Sequence, residues 1–411
     1  MRAKRLIRLL DPPFLAADAR RLVTKARRRA RRVERRVVTL SPSGPRPPRG
    51  AVLFSFILDP FLLAPDAAIP YEHTHDWESL RMACTFVELG YEVDAIHWTN
   101  ASFVPDRHYA ALVDVRLNME RLAPLVGPKC LKILHAETAH PGVHNPAQRR
   151  RLEDLAARRG VRLPPSRLIE ENRAIEHADC ATVLGNEFTA ASYAFAGKPL
   201  YRVPISAPFL YPPPTKDFGK ARRGFLWFGS GGLVHKGLDR VLEAFAGMPD
   251  LSLTVCGPIA REPAFEEAYW RELYATPGIR TLGWVDVGSQ AFLELARECL
   301  AAVYPSCSEG GGGSVVTCMH AGLIPLVTRE ASVDLPEGGG MLLADASVDG
   351  IRAAVRRLAA RPASELEAMA RRSWAWARER HTRERFASEY RRVIETILLA
   401  GGVAAAGSPA P

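Results

Sequence analysis

A carboxylate followed by four glycines stands out in the segment YPSCSEGGGGSVVTCMHAG, residues 304–322. An apolar run leads into it and a helix-forming pattern begins at Ser314, so Glu309 and the glycines fall where a strand becomes a helix. Backbone N–H groups at such a turn can hold a phosphate, because no side chains stand in the way. A neighbouring carboxylate accepts hydrogen bonds from sugar hydroxyls. The pattern predicts a site for a phosphate joined to a polyol, as in a nucleotide-sugar.

The same residues also fit a plainer structure. A glycine loop can simply precede an ordinary helix, with Glu309 in solvent, and a short motif does not decide between the two.

Histidines and carboxylates form a second group, in YEHTHDWES at residues 71–79. His73, His75, Asp76 and Glu78 lie there within six positions. Two histidines with a carboxylate are typical of a metal site, but also of a general base or of a site that binds a hydroxylated substrate. Glu78 can instead favour the start of a helix through the helix dipole.

Composition limits the class of protein. A chain of 411 residues with 47% apolar and 24% charged residues predicts a globular protein of two domains. The seven cysteines are scattered and form no C-x-x-C pair, which disfavours zinc and dithiol sites and favours a reduced, cytoplasmic setting. No apolar run is long enough to span a membrane, and arginines interrupt the N-terminus where a signal peptide would be apolar.

The positive charge lies in one segment. The formal net charge is +10, but residues 1–50 hold 16 basic and 3 acidic side chains, or +13, which leaves −3 for the other 361 residues. Nucleic-acid binding by the globular part is therefore disfavoured. The arginine-rich stretch 1–36 fits either a helix that contacts anionic lipid or a solubilising tail.

Strand and helix patterns alternate in two blocks. Residues 51–206 read as one α/β domain with a parallel sheet, residues 207–223 as a proline-rich linker, and residues 224–380 as a second Rossmann-like domain. Within the first block, residues 166–179 have helical composition. Residues 1–50 read as a basic tail with a proline-rich linker, 381–400 as a last helix that packs on the first domain, and 401–411 as a disordered tail.

Two motifs resemble those of the GT-B glycosyltransferases, more narrowly family 4, the glycosyl transferases group 1 type. FLWFGSGGLVHKGLDRVLEAF, residues 225–245, is similar to the family's strand followed by G-R-x(5)-K-G and a helix. Residues 304–327 are similar to P-S-x-x-E-G-x(6)-E-A-M-A-x-G-x-P-V-V, and GYEVDAI is similar to a G-H-E-V strand. The resemblance covers residues 51–395 and implies two Rossmann-like, doubly wound domains that face each other across a cleft, with a C-terminal helical segment.

The resemblance also implies roles for individual residues. Lys236 corresponds to the lysine on the donor diphosphate, Glu309 to the glutamate on the donor sugar, and His135 to a histidine near the reacting centre. The implied donor site comprises Gly229, Ser230, Gly231, Lys236, Glu309, Gly310, Gly311, Gly312, Gly313, Ser314 and Thr317. Such enzymes need no catalytic metal or other cofactor. This favours acceptor binding or a general base over a metal site for His73, His75, Asp76 and Glu78.

The chain departs from the family pattern at three points. Ser230 replaces an arginine, which leaves Lys236 with only the N–H groups of residues 230–232 as help on the diphosphate. Thr317 replaces a second glutamate that binds the ribose. The glycine loop after the first strand is replaced by residues 71–79.

The leading hypothesis is a retaining glycosyltransferase that moves a sugar from a nucleotide-diphosphate sugar to a glycan, lipid or other hydroxyl acceptor. By analogy it would act in cell-envelope polysaccharide synthesis, in the cytoplasm or at the inner face of the plasma membrane. The departures favour the alternative, a catalytically weakened GT-B protein that binds a glycan or a partner. A sugar epimerase would need a pair of acid/base carboxylates around the sugar, and no clear pair is present.

Overall fold

The computed structural model describes residues 33–64 and 66–402. The arginine-rich stretch up to residue 32 and the segment 403–411 lie outside the described residues, so the predicted lipid contact and most of the predicted disordered tail do so too.

The first domain is built on a seven-stranded sheet with the strand order β1-β3-β2-β4-β5-β6-β7, in which only β1 runs antiparallel to its neighbour. The strands are β1 (Val37–Leu40), β2 (Ala51–Phe56), β3 (Glu92–His97), β4 (Ala111–Asp114), β5 (Leu131–Ala136), β6 (Cys180–Leu184) and β7 (Leu200–Val203). The helices are α1 (Thr74–Glu88), α2 (Met119–Val126), α3 (Pro141–Arg159), α4 (Ala174–His177) and α5 (Glu187–Tyr193). The inner strands are buried on both faces, which is why they read as unbroken apolar runs.

The second domain has a six-stranded, all-parallel sheet with the order β10-β9-β8-β11-β12-β13. The strands are β8 (Gly224–Phe228), β9 (Ser252–Cys256), β10 (Ile279–Gly283), β11 (Ala301–Tyr304), β12 (Ile324–Val327) and β13 (Met341–Leu342). The helices are α6 (Phe218–Ala221), α7 (Leu238–Ala246), α8 (Pro263–Ala268), α9 (Trp270–Tyr274), α10 (Gln290–Glu298), α11 (Gly313–His320), α12 (Val348–Ala359) and α13 (Ala363–Arg380). Two doubly wound sheets confirm the predicted fold class.

The last helix, α14 (Arg383–Ala400), returns to the first domain. Its apolar face includes Phe386, Tyr390 and Ile394, and these side chains belong to the core beneath the first sheet. The chain therefore crosses between the domains twice, after β7 and after α13. In the described part of the chain, no helix combines the length and apolar character needed to cross a bilayer.

Two local predictions were wrong. Residues 37–40 were assigned to the tail, but they form edge strand β1, where the Thr39 hydroxyl donates to Asp94 Oδ1 at 2.7 Å. The surrounding arginines had obscured the alternation of half-buried Val38 and Leu40 with exposed Val37 and Thr39. Residues 166–179 were predicted as helix, but only Ala174–His177 is helical, and residues 160–173 form a long connection on the cleft side of the first domain.

Candidate functional site

A cleft of about 490 Å³ lies between the two domains. In each sheet the strand order reverses at one point, between β2 and β4 in the first and between β8 and β11 in the second. Ligands bind at such points, outside the carboxyl ends of the strands. The segments that follow β8 and β11 line one wall of the cleft, and those that follow β2, β4 and β5 line the other. The sequence motifs around Lys236 and Glu309 therefore meet at the switch point of the second sheet.

Glu309 is held rigidly in this wall. Its Oε1 atom accepts hydrogen bonds from Lys236 Nζ at 2.7 Å, from the Tyr304 hydroxyl at 3.0 Å and from the Ser306 hydroxyl at 3.0 Å. Burial alone would raise the pKa of this carboxyl group, but the Lys236 ammonium together with the charges of His235 and Arg167 outweighs burial and holds the pKa well below its usual range. Glu309 is therefore ionised, and the alternative of a solvated Glu309 is excluded because its side chain is only 10% exposed.

Hydrogen bonds hold both the backbone and the ammonium group of Lys236. The Trp227 indole N–H donates to the Lys236 carbonyl oxygen at 3.3 Å, and Lys236 Nζ donates to the Tyr304 hydroxyl at 2.6 Å as well as to Glu309. Burial lowers the pKa of Lys236, while the charge of Glu309 opposes that change. The two side chains form a buried ion pair with no net charge. The sequence predicted Lys236 on the donor diphosphate; in the structure its charge is already compensated by Glu309.

The glycine turn is shaped for close approach. Gly311 and Gly312 have φ values of +102° and +52°, in the region that favours glycine. A Cβ atom on Gly310 would lie 2.1 Å from the carbonyl oxygen of Glu137 in the first domain. Helix α11 begins at Gly313, so the N–H groups of Gly313 and Ser314 have no partner within the helix, whereas those of Val315 and Val316 donate to the Gly312 carbonyl oxygen. The turn brings a helix N-terminus to the cleft where the domains touch.

Most of the predicted donor residues line the cleft. Those that do are Gly229, Ser230, Lys236, Glu309, Gly310, Gly312, Gly313, Ser314 and Thr317, whereas Gly231 and Gly311 do not. The Thr317 hydroxyl donates to the Gly313 carbonyl oxygen at 2.9 Å. Its oxygen can therefore accept, but not donate, a further hydrogen bond from a ligand hydroxyl.

One of the three N–H groups that were predicted to help, that of Gly232, is committed elsewhere. The N–H groups of Gly232 and Leu233 donate to the carboxylate of Glu262, which stands beside the turn between β8 and α7. A phosphate at these two N–H groups would have to displace that carboxylate. The prediction that this turn assists Lys236 is therefore wrong for Gly232.

The histidine-rich segment divides between cleft and interior. His73 caps α1 by accepting from the N–H of His75 at 3.4 Å, and both histidines line the cleft. Glu78 is fully buried and does not line it. Its Oε1 accepts from the N–H and the hydroxyl of Ser206, each at 2.8 Å, and its Oε2 lies 2.8 Å from His75 Nδ1. Asp76 also lies outside the lining. Glu78 is thus a support for His75, not a direct contact for a substrate.

His135, which was predicted near a reacting centre, does not line the cleft. It lies on β5 with no exposed surface, its Nδ1 2.8 Å from the Thr182 hydroxyl and its ring against Phe56 and Tyr390. Burial lowers its pKa to about 3. The resemblance matched the strand end correctly, but the side chain at position 135 points into the core.

Several cleft residues were not predicted. Tyr304 completes the Lys236–Glu309 pair, Glu137 and Arg116 form an ion pair on the first-domain wall, and Arg167 reaches the cleft from the long connection after α3. The position of Tyr304 at the end of a strand was a usable signal. The sequence contained no usable signal for Arg167, because its segment was predicted as helix.

In the described ranges, 33–64 and 66–402, no cluster of three or more His, Cys, Asp or Glu residues could hold a metal ion.

Comparison with known proteins bears on the second domain and on the fold. Residues 222–361 match the family model of glycosyl transferases group 1. No curated protein matches the chain. Anabaena Alr3699/HepE in complex with UDP-glucose has a TM-score of 0.52 at 10% identity, over 84% of this chain and 99% of that one. The same protein with UDP and glucose has a TM-score of 0.50 at 12% identity, with the same coverage. These likenesses show the fold, which is GT-B.

S. aureus TarM has a TM-score of 0.45 at 10% identity, over 71% of this chain and 55% of TarM. This chain thus spans about half the length of TarM.

Proposed function

We propose that this chain, a GT-B glycosyltransferase whose second domain is of the glycosyl transferases group 1 type, transfers a sugar from a nucleotide-diphosphate sugar to a hydroxyl acceptor. The observation that carries the proposal is the buried Lys236–Glu309 pair, 2.7 Å apart, beside the N-terminus of α11 in the interdomain cleft. A helix N-terminus suits the phosphates, and an ionised carboxylate suits the hydroxyls of a sugar.

Glu309 is arranged to orient the donor sugar. Oε1 takes the three internal hydrogen bonds, and among the described residues no partner is recorded for Oε2. Oε2 is then the oxygen that accepts from sugar hydroxyls. In the reaction the bond from the anomeric carbon to the phosphate oxygen breaks, its electron pair leaves with the phosphate, and the acceptor oxygen bonds to the anomeric carbon. The α11 N-terminus stabilises the negative charge that grows on the leaving phosphate.

The first-domain wall supplies the acceptor side. His75 Nδ1 faces the ionised carboxylate of Glu78 at 2.8 Å, which favours a proton on Nδ1, while His75 Nε2 lies 3.6 Å from the Glu137 carboxylate at the cleft. Burial would raise the pKa of Glu78. The hydrogen bond with His75, the positive charge of His75 when it is protonated and the hydrogen bonds from Ser206 together lower that pKa. We assign to His75 the role of orienting the acceptor hydroxyl and taking its proton.

The finer assignments belong to the same proposal. They are retention of the anomeric configuration, independence from metal, a glycan or lipid-linked acceptor and a role in cell-envelope polysaccharide synthesis. Cytoplasmic localisation, with contact to anionic lipid through residues 1–36, is included, although that segment up to residue 32 lies outside the described residues.

The experiment is a thermal-shift screen against UDP-, GDP-, ADP- and dTDP-sugars, followed by a turnover assay with the donor that stabilises the protein. Lys236→Ala and Glu309→Ala should each lower transfer about 100-fold or more. Lys220→Ala is the matched control, since the Lys220 side chain is 89% exposed. Unchanged transfer in both site variants would show that this is not the active site.

A binding protein without turnover is the second candidate. Ser230 and Thr317 stand where the family pattern has an arginine and a glutamate, and the charge of Lys236 is already compensated. This candidate predicts that a nucleotide-sugar stabilises the protein while no product forms with any acceptor, including water.

A further inference from the structure

The cleft contains more paired charge than free charge. Lys236 is paired with Glu309, and Arg116 is paired with Glu137. Each pair contributes little net charge to a ligand at the centre of the cleft. Arg167 also lines the cleft, and no carboxylate in the described part of the chain forms an ion pair with its guanidinium. A diphosphate needs cations, and among the cleft residues that the structure describes Arg167 is the arginine or lysine with no carboxylate partner.

Arg167 is held in place through its backbone. Its N–H donates to Gln148 Oε1 at 3.2 Å, and its carbonyl oxygen lies 2.8 Å from His144 Nε2. Both partners belong to α3, so the long connection after that helix is fixed at this residue. The guanidinium is presented by an anchored backbone, although the side chain itself is exposed.

The side chain crosses from the first domain to the second. A Cβ atom on Gly232 would lie 2.2 Å from Arg167 Cγ and 2.8 Å from its Cδ, so the side-chain stem lies directly on the turn that follows β8. Gly232 has φ = +91°, a second reason for glycine there. This contact guides the guanidinium towards the cleft, which Arg167 lines.

The effect of Arg167 on the pKa values of neighbouring groups agrees with a guanidinium directed towards the cleft. The positive charge of Arg167 lowers the pKa of Glu309, after the larger effects of burial and of Lys236 and His235. It also opposes the rise in the pKa of Tyr304, which burial and Glu309 cause. Arg167 therefore acts on the centre of the site across the domain boundary.

We propose that Arg167 is the principal cation that binds the donor diphosphate, supplied by the first domain to a site built on the second. A guanidinium can hold two phosphate oxygens at once. The bound diphosphate is then gripped by the N-terminus of α11 from one domain and by Arg167 from the other. This inference rests on the proposed function and specifies how its donor is bound.

The test is calorimetric titration of the full chain with UDP, GDP, ADP and dTDP. Binding of the parent nucleosides is followed by saturation-transfer NMR. Arg167→Gln keeps a stem of similar length on Gly232 and removes the charge. It should weaken binding of the preferred diphosphate by about 10- to 100-fold, the usual range for a lost charge-assisted hydrogen bond, and leave nucleoside binding unchanged. Arg162→Gln, an exposed arginine of the same connection outside the cleft lining, should bind like wild type.

The outcomes separate this inference from the proposed function. If wild type binds a diphosphate and Arg167→Gln binds it equally well, the assignment of Arg167 is wrong and the proposed function stands. An equal loss for diphosphate and nucleoside would indicate a structural role, which also overturns the assignment. If wild type binds none of the four diphosphates, both are overturned.

Discussion

Replacing Glu309 by Gln should be far more costly than its modest change of shape suggests. The Lys236 Nζ to Glu309 Oε1 distance of 2.7 Å corresponds to roughly 6 kcal/mol of attraction at an effective dielectric constant of 20. Much of this offsets the loss of hydration of two buried charges. Removing only one partner leaves the other charge buried and uncompensated, so we expect Glu309→Gln to lower the free energy of unfolding by about 3–5 kcal/mol.

The measurement is a double-mutant cycle on the free energy of unfolding in urea at pH 7. Lys236→Met should also be costly, and the variant with both changes should be less unstable than the sum of the two by about 2–3 kcal/mol. The matched control is the exposed pair Arg280–Glu298, whose N–O distance is 2.8 Å. Its coupling energy should stay below about 1 kcal/mol, because water screens it.

The pH dependence of the free energy of unfolding gives an independent check on why Glu309→Gln is destabilising. Burial already lowers the pKa of Lys236, and loss of the Glu309 charge lowers it further. When a buried lysine has a lowered pKa in the folded state, the free energy of unfolding of the protein rises with pH, because the neutral amine is tolerated in the interior. The cost of Glu309→Gln should therefore shrink with rising pH. If the costs of the single changes add within about 0.5 kcal/mol, the buried pair is not energetically coupled and the account of the site is wrong.

Three further predictions follow from packing and titration. Gly310→Ala should destabilise the protein by about 1–3 kcal/mol, because the added methyl group would meet a carbonyl oxygen of the first domain at 2.1 Å, whereas Gly231→Ala, with its nearest contact at 3.6 Å, should be tolerated in thermal unfolding. His135, whose pKa burial lowers to about 3, favours folding above its unfolded-state pKa of about 6.5 and loses that contribution as pH falls. His135→Gln should therefore make the fall in stability between pH 6 and 4 shallower by about 1.4 kcal/mol per pH unit, and an unchanged slope would contradict a buried neutral ring. His75→Gln should lower the maximal turnover rate about 100-fold, and Glu78→Gln should lower it less while shifting the pH profile; equal pH profiles for Glu78→Gln and wild type would refute the positioning role.

The fold was predictable because its signals are local. Buried parallel strands leave apolar runs such as residues 51–56, and glycines mark the turns that follow them. The edge strand at residues 37–40 was missed because an edge strand needs only alternate apolar residues, and arginines surrounded them. The connection at residues 160–173 was taken in part for helix because its composition suits one. Its backbone is instead tied to α3 by the hydrogen bonds of Asn145 and Gln148, which composition cannot reveal.

The site was predictable where its residues share a motif. Lys236 and Glu309 follow adjacent strands of one sheet, so their meeting follows from the topology. Their ion pair was not foreseen, because spacing does not show which charges are already compensated. Arg167 lies 69 positions before Lys236 and in the other domain, and only the packing of the two domains brings it to the cleft. For His135 the motif located the strand end, but it could not show that the side chain is buried and does not line the cleft.

The most direct measurement is a crystal structure of the protein with the nucleotide-diphosphate sugar that stabilises it most in the thermal-shift screen. We predict that the diphosphate lies between the first turn of α11 and the Arg167 guanidinium, with a sugar hydroxyl within hydrogen-bond distance of Glu309 Oε2. A donor bound outside this cleft, or one whose phosphates contact neither Arg167 nor residues 312–314, would contradict the account.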